Sequence, residues 1–168
     1  LKTRKIDCCK KKKKITKKTK AIVVVDLYGY AVDINEFKKL RKNIKIIHDC
    51  AQSIGASFKK KKSGMLADFA CYSFHSQKNI TTLGEGGAIY VKNKKLANAV
   101  KGLRHNGHRP YSLKRRYYWK PAMVNLELDI KNVWPHKFTL SEIQCAAGNL
   151  LLKRLDSLNN IIIKKAKK

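Results

Sequence analysis

Short β-branched runs alternate with amphipathic segments between about residues 21 and 107, and this alternation limits the possible folds more than any other feature. "AIVVV" from Ala21, "IKIIHD", "FACYSF" and "GGAIYV" each have the length and composition of a buried strand. After the first run, Ile34, Phe37 and Leu40 recur at three-residue spacing, which predicts a helix with Asp33 as its N-cap. Strands that alternate with helices predict a layered α/β fold with parallel pairing.

The remaining segments flank this alternating region. Residues 1–20 are nearly all basic or polar and predict a tail or a truncated element, whereas residues 21–168 read as one domain or part of one. "KKLANAVKGLRHNG" predicts a helix closed by Gly107. Residues from about 109 to 137 hold all three prolines and both tryptophans and predict an irregular excursion. Helical spacing from about 140 to 160 then predicts a long helix.

The basic excess of the chain has two interpretations. Of 168 residues, 39 are Lys or Arg and 11 are Asp or Glu, which gives a formal net charge of +28 and favours a polyanionic partner. The lysine runs, however, fall between the patterned segments and not along one helix face, and a lysine-biased sequence would give the same picture. We therefore keep a basic nucleic-acid-binding protein only as a less favoured interpretation of the charge.

The cysteines and histidines do not predict a disulfide framework or a metal site. Five cysteines are an odd number without CxxC spacing, and His105 and His108 have HxxH spacing but no companion ligands. The apolar runs are far shorter than the roughly 20 residues that a membrane span needs. Since no export signal is visible either, we expect a cytoplasmic protein without a membrane segment.

Polar side chains close two of the predicted strands. Asp49 ends "IKIIHD", Ser73 lies near the end of "FACYSF", and Lys78 follows before the glycines of "LGEGG". Open α/β sheets bind ligands outside the carboxyl ends of their strands, so these residues outline a small-molecule site. The alternative is that Asp49 caps a helix and Lys78 is a solvated surface charge. Nucleotide-loop patterns and the S-x-x-K pattern are absent.

Four segments together are more specific than any one of them. "HDCAQSIGASF", "DFACYSFHSQKNITTLGEGGAIYV", "LRHNGH" and "FTLSEIQCAAGNLLLKRLDSLN" resemble, in order and approximate spacing, the DegT/DnrJ-type (StrS-like) pyridoxal-phosphate-dependent sugar aminotransferases. The resemblance implies part of a three-layer, fold-type-I aminotransferase large domain with a seven-stranded, mostly parallel sheet. It also implies a cytoplasmic homodimer with active sites at the subunit interface.

The resemblance assigns a role to each matching residue. Lys78 would bind the aldehyde of pyridoxal 5'-phosphate and act as general acid and base, and Asp49 would pair with the ring nitrogen. Gln52 would lie beside the ring's phenolic oxygen, Ser73 would bind the phosphate, and Thr139 would contact the partner subunit's cofactor phosphate. The implied reaction converts a keto group on a nucleotide-linked sugar to an amine, with an amino acid such as glutamate as donor, in amino-sugar and surface-polysaccharide biosynthesis.

The sequence departs from the family pattern in three ways that keep alternatives open. His48 and Cys50 stand where the family usually has an acidic residue and an alanine, and Thr139 stands where asparagine or arginine is frequent. The N-terminal phosphate loop and most of the small domain have no counterpart here, so a catalytically silent remnant or structural subunit is an alternative. A family dehydratase, with histidine in place of Lys78, is less favoured.

Overall fold

The computed structural model describes residues 14–40, 43–110, 123–125 and 133–167. The chain forms two compact units. The sheet unit comprises the residues up to Lys92 together with those from Glu142 onward, and the second unit runs from Asn93 to Ser141.

Six strands and three helices of the sheet unit are described, and four of the strands form one sheet. The strands are β1 (Ala21–Val25), β2 (Lys45–Asp49), β3 (Ser57–Phe58), β4 (Lys61–Lys62), β5 (Phe69–Ser73) and β6 (Gly87–Val91). The sheet has the order β1-β2-β5-β6, with parallel pairing between the first three strands and antiparallel pairing of β6 against β5. The predicted α/β fold with a mostly parallel sheet is confirmed, and this sheet has four strands among the described residues. The seven strands that the resemblance implies stay a prediction.

One face of this sheet packs against helix α1 (Ile34–Lys38). Val24 and Ile46 alternate inward from β1 and β2 and form the core with Ile34 and Phe37 of that helix. The predicted N-cap is present, since the N–H of Asn35 donates to Oδ1 of Asp33 at 3.0 Å. The opposite face exposes apolar or sulfur-bearing side chains: Val23, Cys71 and Ile89.

The lysine run at residues 59–62 is an ordered hairpin. Lys59 and Lys60 form the turn between β3 and β4 with φ of +46° and +64°, the left-handed values that a tight two-residue hairpin requires. The ammonium of Lys59 lies 5.3 Å from the centre of the Phe58 ring, which stabilises the turn by a cation–π contact. Nζ of Lys62 donates to the carbonyl oxygen of Gly55 at 3.3 Å.

Two helices occupy the region for which the sequence predicts one. Helix α3 spans Glu142–Lys153 and helix α4 spans Leu155–Ala166. Arg154 between them has φ −97° and ψ 0°, and its N–H bonds to the carbonyl oxygen of Leu151, one residue closer than in an α-helix. The α-helical hydrogen bonding is therefore interrupted by a tight turn at Arg154, where the sequence has neither glycine nor proline.

The second unit is built around helix α2 (Lys94–Leu103), which lies between α1 and α3 in the chain. Asn93 caps its N-terminus through a bond from the N–H of Leu96, and Gly107 (φ +79°) donates its N–H to the carbonyl oxygen of Gly102. Strands β7 (His108–Pro110) and β8 (Met123–Asn125) pair antiparallel within the predicted excursion at about residues 109–137. Much of that excursion, like residues 1–13 of the predicted tail, lies outside the described residues.

Candidate active site

The candidate site lies at the carboxyl ends of β2 and β5. Asp49 is the last residue of β2 and Ser73 is the last residue of β5. Asp49 aligns with Cys71, and because side chains two residues apart in a strand share a face, Asp49 and Ser73 lie on the same side of the sheet. That side is the one opposite α1, so a ligand can reach it.

Asp49 uses only part of its hydrogen-bonding capacity. Its Oδ1 accepts a bond from the N–H of Ala51 at 3.0 Å, which orients the carboxylate across the turn after β2. Its main-chain oxygen accepts from the N–H of Asp26 at 3.0 Å and extends the ladder between β1 and β2. Among the described residues, Oδ2 has no hydrogen-bond partner and is available to a ligand donor.

Lys78 lies in a loop between β5 and β6 that is closed by main-chain bonds. The N–H of Phe74 donates to the carbonyl oxygen of Gly86 at 2.8 Å, and the N–H of Thr82 donates to the carbonyl oxygen of Phe74 at 3.0 Å. The side chains of Ile80 and Thr82 in this loop are buried. The N–H of Lys78 donates to the main-chain carbonyl oxygen of His75 at 2.9 Å. The half-buried Lys78 therefore lies on a turn that main-chain hydrogen bonds hold in place.

Gln52 and Ser73 are each held by a neighbouring main-chain group. Oε1 of Gln52 accepts from the N–H of Tyr28 at 2.6 Å, which ties the turn after β2 to the 3-10 helix Leu27–Gly29 after β1. Oγ of Ser73 accepts from the N–H of His75 at 3.3 Å. The Ser73 hydroxyl proton remains free to donate to an anion.

An open cleft of about 870 Å³ brings together some of the predicted site residues but not all. Gln52 and Lys78 line it, together with Asn79 and the helix residues Asn159 and Ile162. Asp49 and Ser73 lie on the adjoining strand ends and do not line the cleft. Thr139 belongs to the second unit, so its predicted place at the cofactor phosphate stays a prediction.

Two polar features near the site are not among the residues predicted from the sequence. Asn159 contacts both loops that border the cleft, and the buried side chains of Asp26 and His48 are in polar contact. Asp26 could have been noticed as a charge that directly follows an apolar strand. Asn159 lies in a helix between an apolar and a polar neighbour. Nothing in that local sequence predicts that its side chain contacts distant loops.

Asp26, His48 and Cys50 are buried side chains whose ligand atoms lie within 4.8 Å of one another, but their hydrogen bonding does not suit a metal. The N–H of Gly64 donates to Nδ1 of His48 at 3.1 Å, so in the neutral ring Nε2 carries the proton. A metal would need that same nitrogen, which lies 2.8 Å from Oδ1 of Asp26. Burial, followed by the charge of Asp26, raises the pKa of the Cys50 thiol to about 12 and so disfavours a thiolate ligand.

Comparison with known proteins identifies the fold and the family. The model of the DegT/DnrJ/EryC1/StrS aminotransferase family matches residues 1–167. The UDP-4-amino-4,6-dideoxy-N-acetyl-beta-L-altrosamine transaminase of Campylobacter jejuni is 37% identical over 138 residues, which are 81% of this chain and 33% of the relative.

Two solved structures share the fold. A Helicobacter pylori aminotransferase involved in the biosynthesis of pseudoaminic acid is 32% identical with a TM-score of 0.75, covering 90% of this chain and 38% of that one. The E. coli GDP-4-keto-6-deoxy-D-mannose-3-dehydratase with bound hydrated PLP is 26% identical with a TM-score of 0.78, covering 98% of this chain and 43% of that one.

The fold is that of part of a pyridoxal-phosphate-dependent aminotransferase large domain. The chain belongs to the DegT/DnrJ/EryC1/StrS aminotransferase family. It spans about a third of the length of the curated relative described above. Among the described residues, no helix is both long and apolar enough to cross a membrane.

Proposed function

We propose that this chain supplies the cofactor-binding lysine and carboxylate of an enzyme that aminates a keto sugar carried on a nucleotide. The observation that carries the proposal is the family match together with Asp49 at the end of β2 and Lys78 on the braced loop after β5. The named relative acts on a UDP-linked amino sugar, which supports the nucleotide-sugar substrate class.

The residues present fit pyridoxal phosphate. Oδ2 of Asp49 is without a partner among the described residues and suits the N–H of a ring nitrogen, while the Ser73 hydroxyl can donate to a phosphate oxygen. When bound, this cofactor supplies an aldehyde and an electron-accepting ring. Gln52 would donate an amide N–H toward the ring oxygen, because its Oε1 is already occupied by Tyr28.

Lys78 has two tasks in the proposed reaction. Its Nζ would hold the cofactor through the aldehyde carbon in the absence of an amino-acid donor, which we take to be glutamate. As a free amine, Nζ would accept the proton from the donor's α-carbon and return it as a general acid. A half-buried position on the wall of the open cleft suits both tasks, because the loop restrains the side chain while a ligand can still approach it.

The proposal extends to the assembly and the cellular role of the enzyme. The exposed apolar side chains of the sheet and of α4, among them Val23, Ile89 and Ile161, support a homodimer in which this surface is covered. The partner subunit would complete the phosphate site, with Thr139 at that contact. We place the enzyme in the cytoplasm, in amino-sugar synthesis for a surface polysaccharide.

A dehydratase is the second candidate, because one of the structures with the same fold is a GDP-4-keto-6-deoxy-D-mannose-3-dehydratase. The residue at position 78 argues against it. A lysine there can hold the cofactor covalently, and the ring of the nearest histidine, His75, accepts the N–H of Gln77 at 3.1 Å. Incubation with glutamate and a keto-sugar nucleotide should therefore release 2-oxoglutarate in step with the amino sugar, and deoxygenation without amino transfer would reverse the choice.

Covalent trapping tests the proposal directly. The full-length protein, incubated with pyridoxal phosphate and reduced with borohydride, should carry the pyridoxyl group on Lys78, and Lys78→Ala should lose it. Lys45→Ala is the matched control, because Lys45 is exposed at the opposite end of β2. Asp49→Asn should still be labelled but should turn over far more slowly, since the ring loses its charged partner. Labelling of another lysine, or normal turnover of Asp49→Asn, would refute the assignment.

A silent remnant predicts a different result. If this chain serves only as a structural subunit, it should fold without trapping the cofactor at Lys78 in either the 168-residue form or the full-length form. We expect the 168-residue chain alone to hold the cofactor more weakly than the full-length protein, because one serine hydroxyl is a poor site for a phosphate dianion. Equal retention after dialysis would show that the chain is self-sufficient.

A further inference from the structure

Asn159 on α4 forms two side-chain hydrogen bonds that join the loops on either side of the candidate site. Its Oδ1 accepts from Nδ2 of Asn79 at 2.8 Å. Its Nδ2 donates to the carbonyl oxygen of Ile54 at 3.1 Å. Both ends of a single amide are therefore used, each for a different loop.

The two loops are those that carry the proposed reacting groups. Asn79 follows Lys78 directly, and Ile54 lies two residues after Gln52 on the turn that begins with Asp49. The loops are 80 and 105 residues away from Asn159 in the chain, so neither contact arises from local helix geometry.

The approach of α4 to the turn after β2 is close. A Cβ at Gly55 would lie 2.5 Å from Nδ2 of Asn159 and 3.4 Å from Cδ2 of Leu155. Gly55 also has φ +85°, a conformation that glycine adopts without strain. Because residue 55 is glycine, no side chain blocks the Asn159 amide from its hydrogen bond to the carbonyl oxygen of Ile54.

We infer that Asn159 is a positioning residue that sets the separation between Lys78 and the ring-binding side chains of the turn after β2. This inference rests on the proposed function. The loop of Lys78 is braced within itself, and among the described residues Asn159 connects it by side-chain bonds to the turn that holds Gln52. A fixed separation matters because covalent capture requires the amine and the bound aldehyde to meet in one geometry.

Variants that break the hydrogen bonds of Asn159 one at a time distinguish a positioning role from a general contribution to stability. Asn159→Ala removes both bonds, Asn79→Ala removes only the bond to the Lys78 loop, and Asn159→Asp keeps an acceptor for Asn79 but cannot donate to Ile54. If Asn159 couples the loops, breaking either bond should be nearly as harmful as breaking both. Asn149→Ala is the matched control, because Asn149 is an exposed asparagine on the neighbouring helix α3.

The first measurement is the rate of borohydride-trapped pyridoxal phosphate labelling at Lys78 in the full-length protein. We expect a roughly tenfold slower rate in Asn159→Ala, Asn79→Ala and Asn159→Asp, the effect of losing about one net hydrogen bond from the reactive geometry. Asn149→Ala should match the wild type. Equal labelling rates in the wild type and Asn159→Ala would overturn the inference.

The second measurement is amide hydrogen exchange of the cofactor-free protein, which does not depend on the proposed chemistry. Asn159→Ala should speed exchange in residues 51–56 and 75–83 without changing exchange in β1 and β2. Acceleration throughout the sheet would mean that Asn159 serves stability alone, and would overturn the positioning role. If the wild type is labelled at a lysine other than Lys78, the proposed function fails and the inference falls with it, whatever the exchange result.

Discussion

Nε2 of His48 lies 2.8 Å from Oδ1 of Asp26, and both side chains are fully buried between β1 and β2. The carboxylate also accepts the N–H of Val32 at 2.9 Å, and the other ring nitrogen accepts the N–H of Gly64 at 3.1 Å. The pair thus connects the ends of β1 and β2 to the loops that contain Val32 and Gly64. His48 directly precedes Asp49 in β2. Its imidazole N–H is close to the carboxylate but is not aligned as a hydrogen bond, so the contact is mainly electrostatic.

Removal of one partner of this pair should be costly. Asp26→Ala leaves the His48 N–H buried without its carboxylate and the Val32 N–H without its acceptor. We expect each donor left without a partner to cost about 1–3 kcal/mol in the free energy of unfolding, measured by urea denaturation. Asp33→Ala, which removes the N-cap of α1, should cost about 1 kcal/mol. Similar losses in the two variants would contradict the importance of the buried pair.

Acid should weaken the same contact. Burial raises the pKa of Asp26, but the polar His48 and Ser63 side chains nearby and the hydrogen bond from the Val32 N–H outweigh it, and the net pKa lies below the ordinary value of 3.8. Because the folded pKa is the lower one, Asp26 stabilises the fold at pH above about 3.8, and this contribution is lost as the pH falls through the folded pKa.

The matched variant for the acid effect is Asp26→Asn, which cannot titrate. The difference in the free energy of unfolding between wild type and Asp26→Asn should be constant above about pH 5 and should shrink below about pH 4. A difference that grows with acid would reverse the sign of the shift. Measurement at several pH values on both proteins separates Asp26 from the other carboxylates, which are common to the two.

Composition and periodicity predict the sheet well because strand formation depends on local apolar content. The runs beginning at Ala21, Lys45, Phe69 and Gly87 are all strands, and Asp33 caps a helix as expected. The antiparallel direction of β6 is not visible in its sequence, because the same apolar run can pair in either direction.

Contacts between distant residues account for what the sequence did not predict. The break at Arg154 contains no proline or glycine, and the bonds of Asn159 reach residues 80 or more positions away. A buried polar contact such as that between Asp26 and His48 can be recognised only after the register of β1 on β2 is known. The candidate lysine and carboxylate could be named in advance because a motif marks them, whereas the residues that hold them in place lack one.

Cysteine reactivity should follow burial in a fixed order. Cys50 is fully buried, and burial together with the Asp26 charge raises its pKa to about 12, so at about pH 8 it is a protonated, inaccessible thiol. Cys71 is exposed, but burial of its sulfur and the charge of Asp49 raise its pKa. Among the three cysteines that the structure describes, peptide mapping after iodoacetamide should therefore show Cys145 alkylated first, Cys71 next and Cys50 only after unfolding. Early alkylation of Cys50 in the native protein would contradict its burial.

Two glycines with positive φ should respond differently to alanine. A methyl group added at Gly84 (φ +136°) would meet no atom of the described residues within 4 Å, so Gly84→Ala should cost only backbone strain of about 1–3 kcal/mol. Gly64 (φ +91°) has the same kind of strain, but its methyl group would also collide with the Tyr72 hydroxyl and lie 2.8 Å from Cβ of Ala70. Overpacking should add about 1–3 kcal/mol to the cost of Gly64→Ala.

The Tyr72 hydroxyl provides the internal test of that collision. It donates to the carbonyl oxygen of Ser63 at 2.7 Å, so Tyr72→Phe alone should destabilise the protein by about 1 kcal/mol. Combined with Gly64→Ala, however, the same change removes the colliding oxygen, and the double variant should be more stable than the sum of the two single losses predicts. Strict additivity in urea denaturation would mean that the added methyl group is accommodated elsewhere, and that the contact between Gly64 and Tyr72 does not limit this turn.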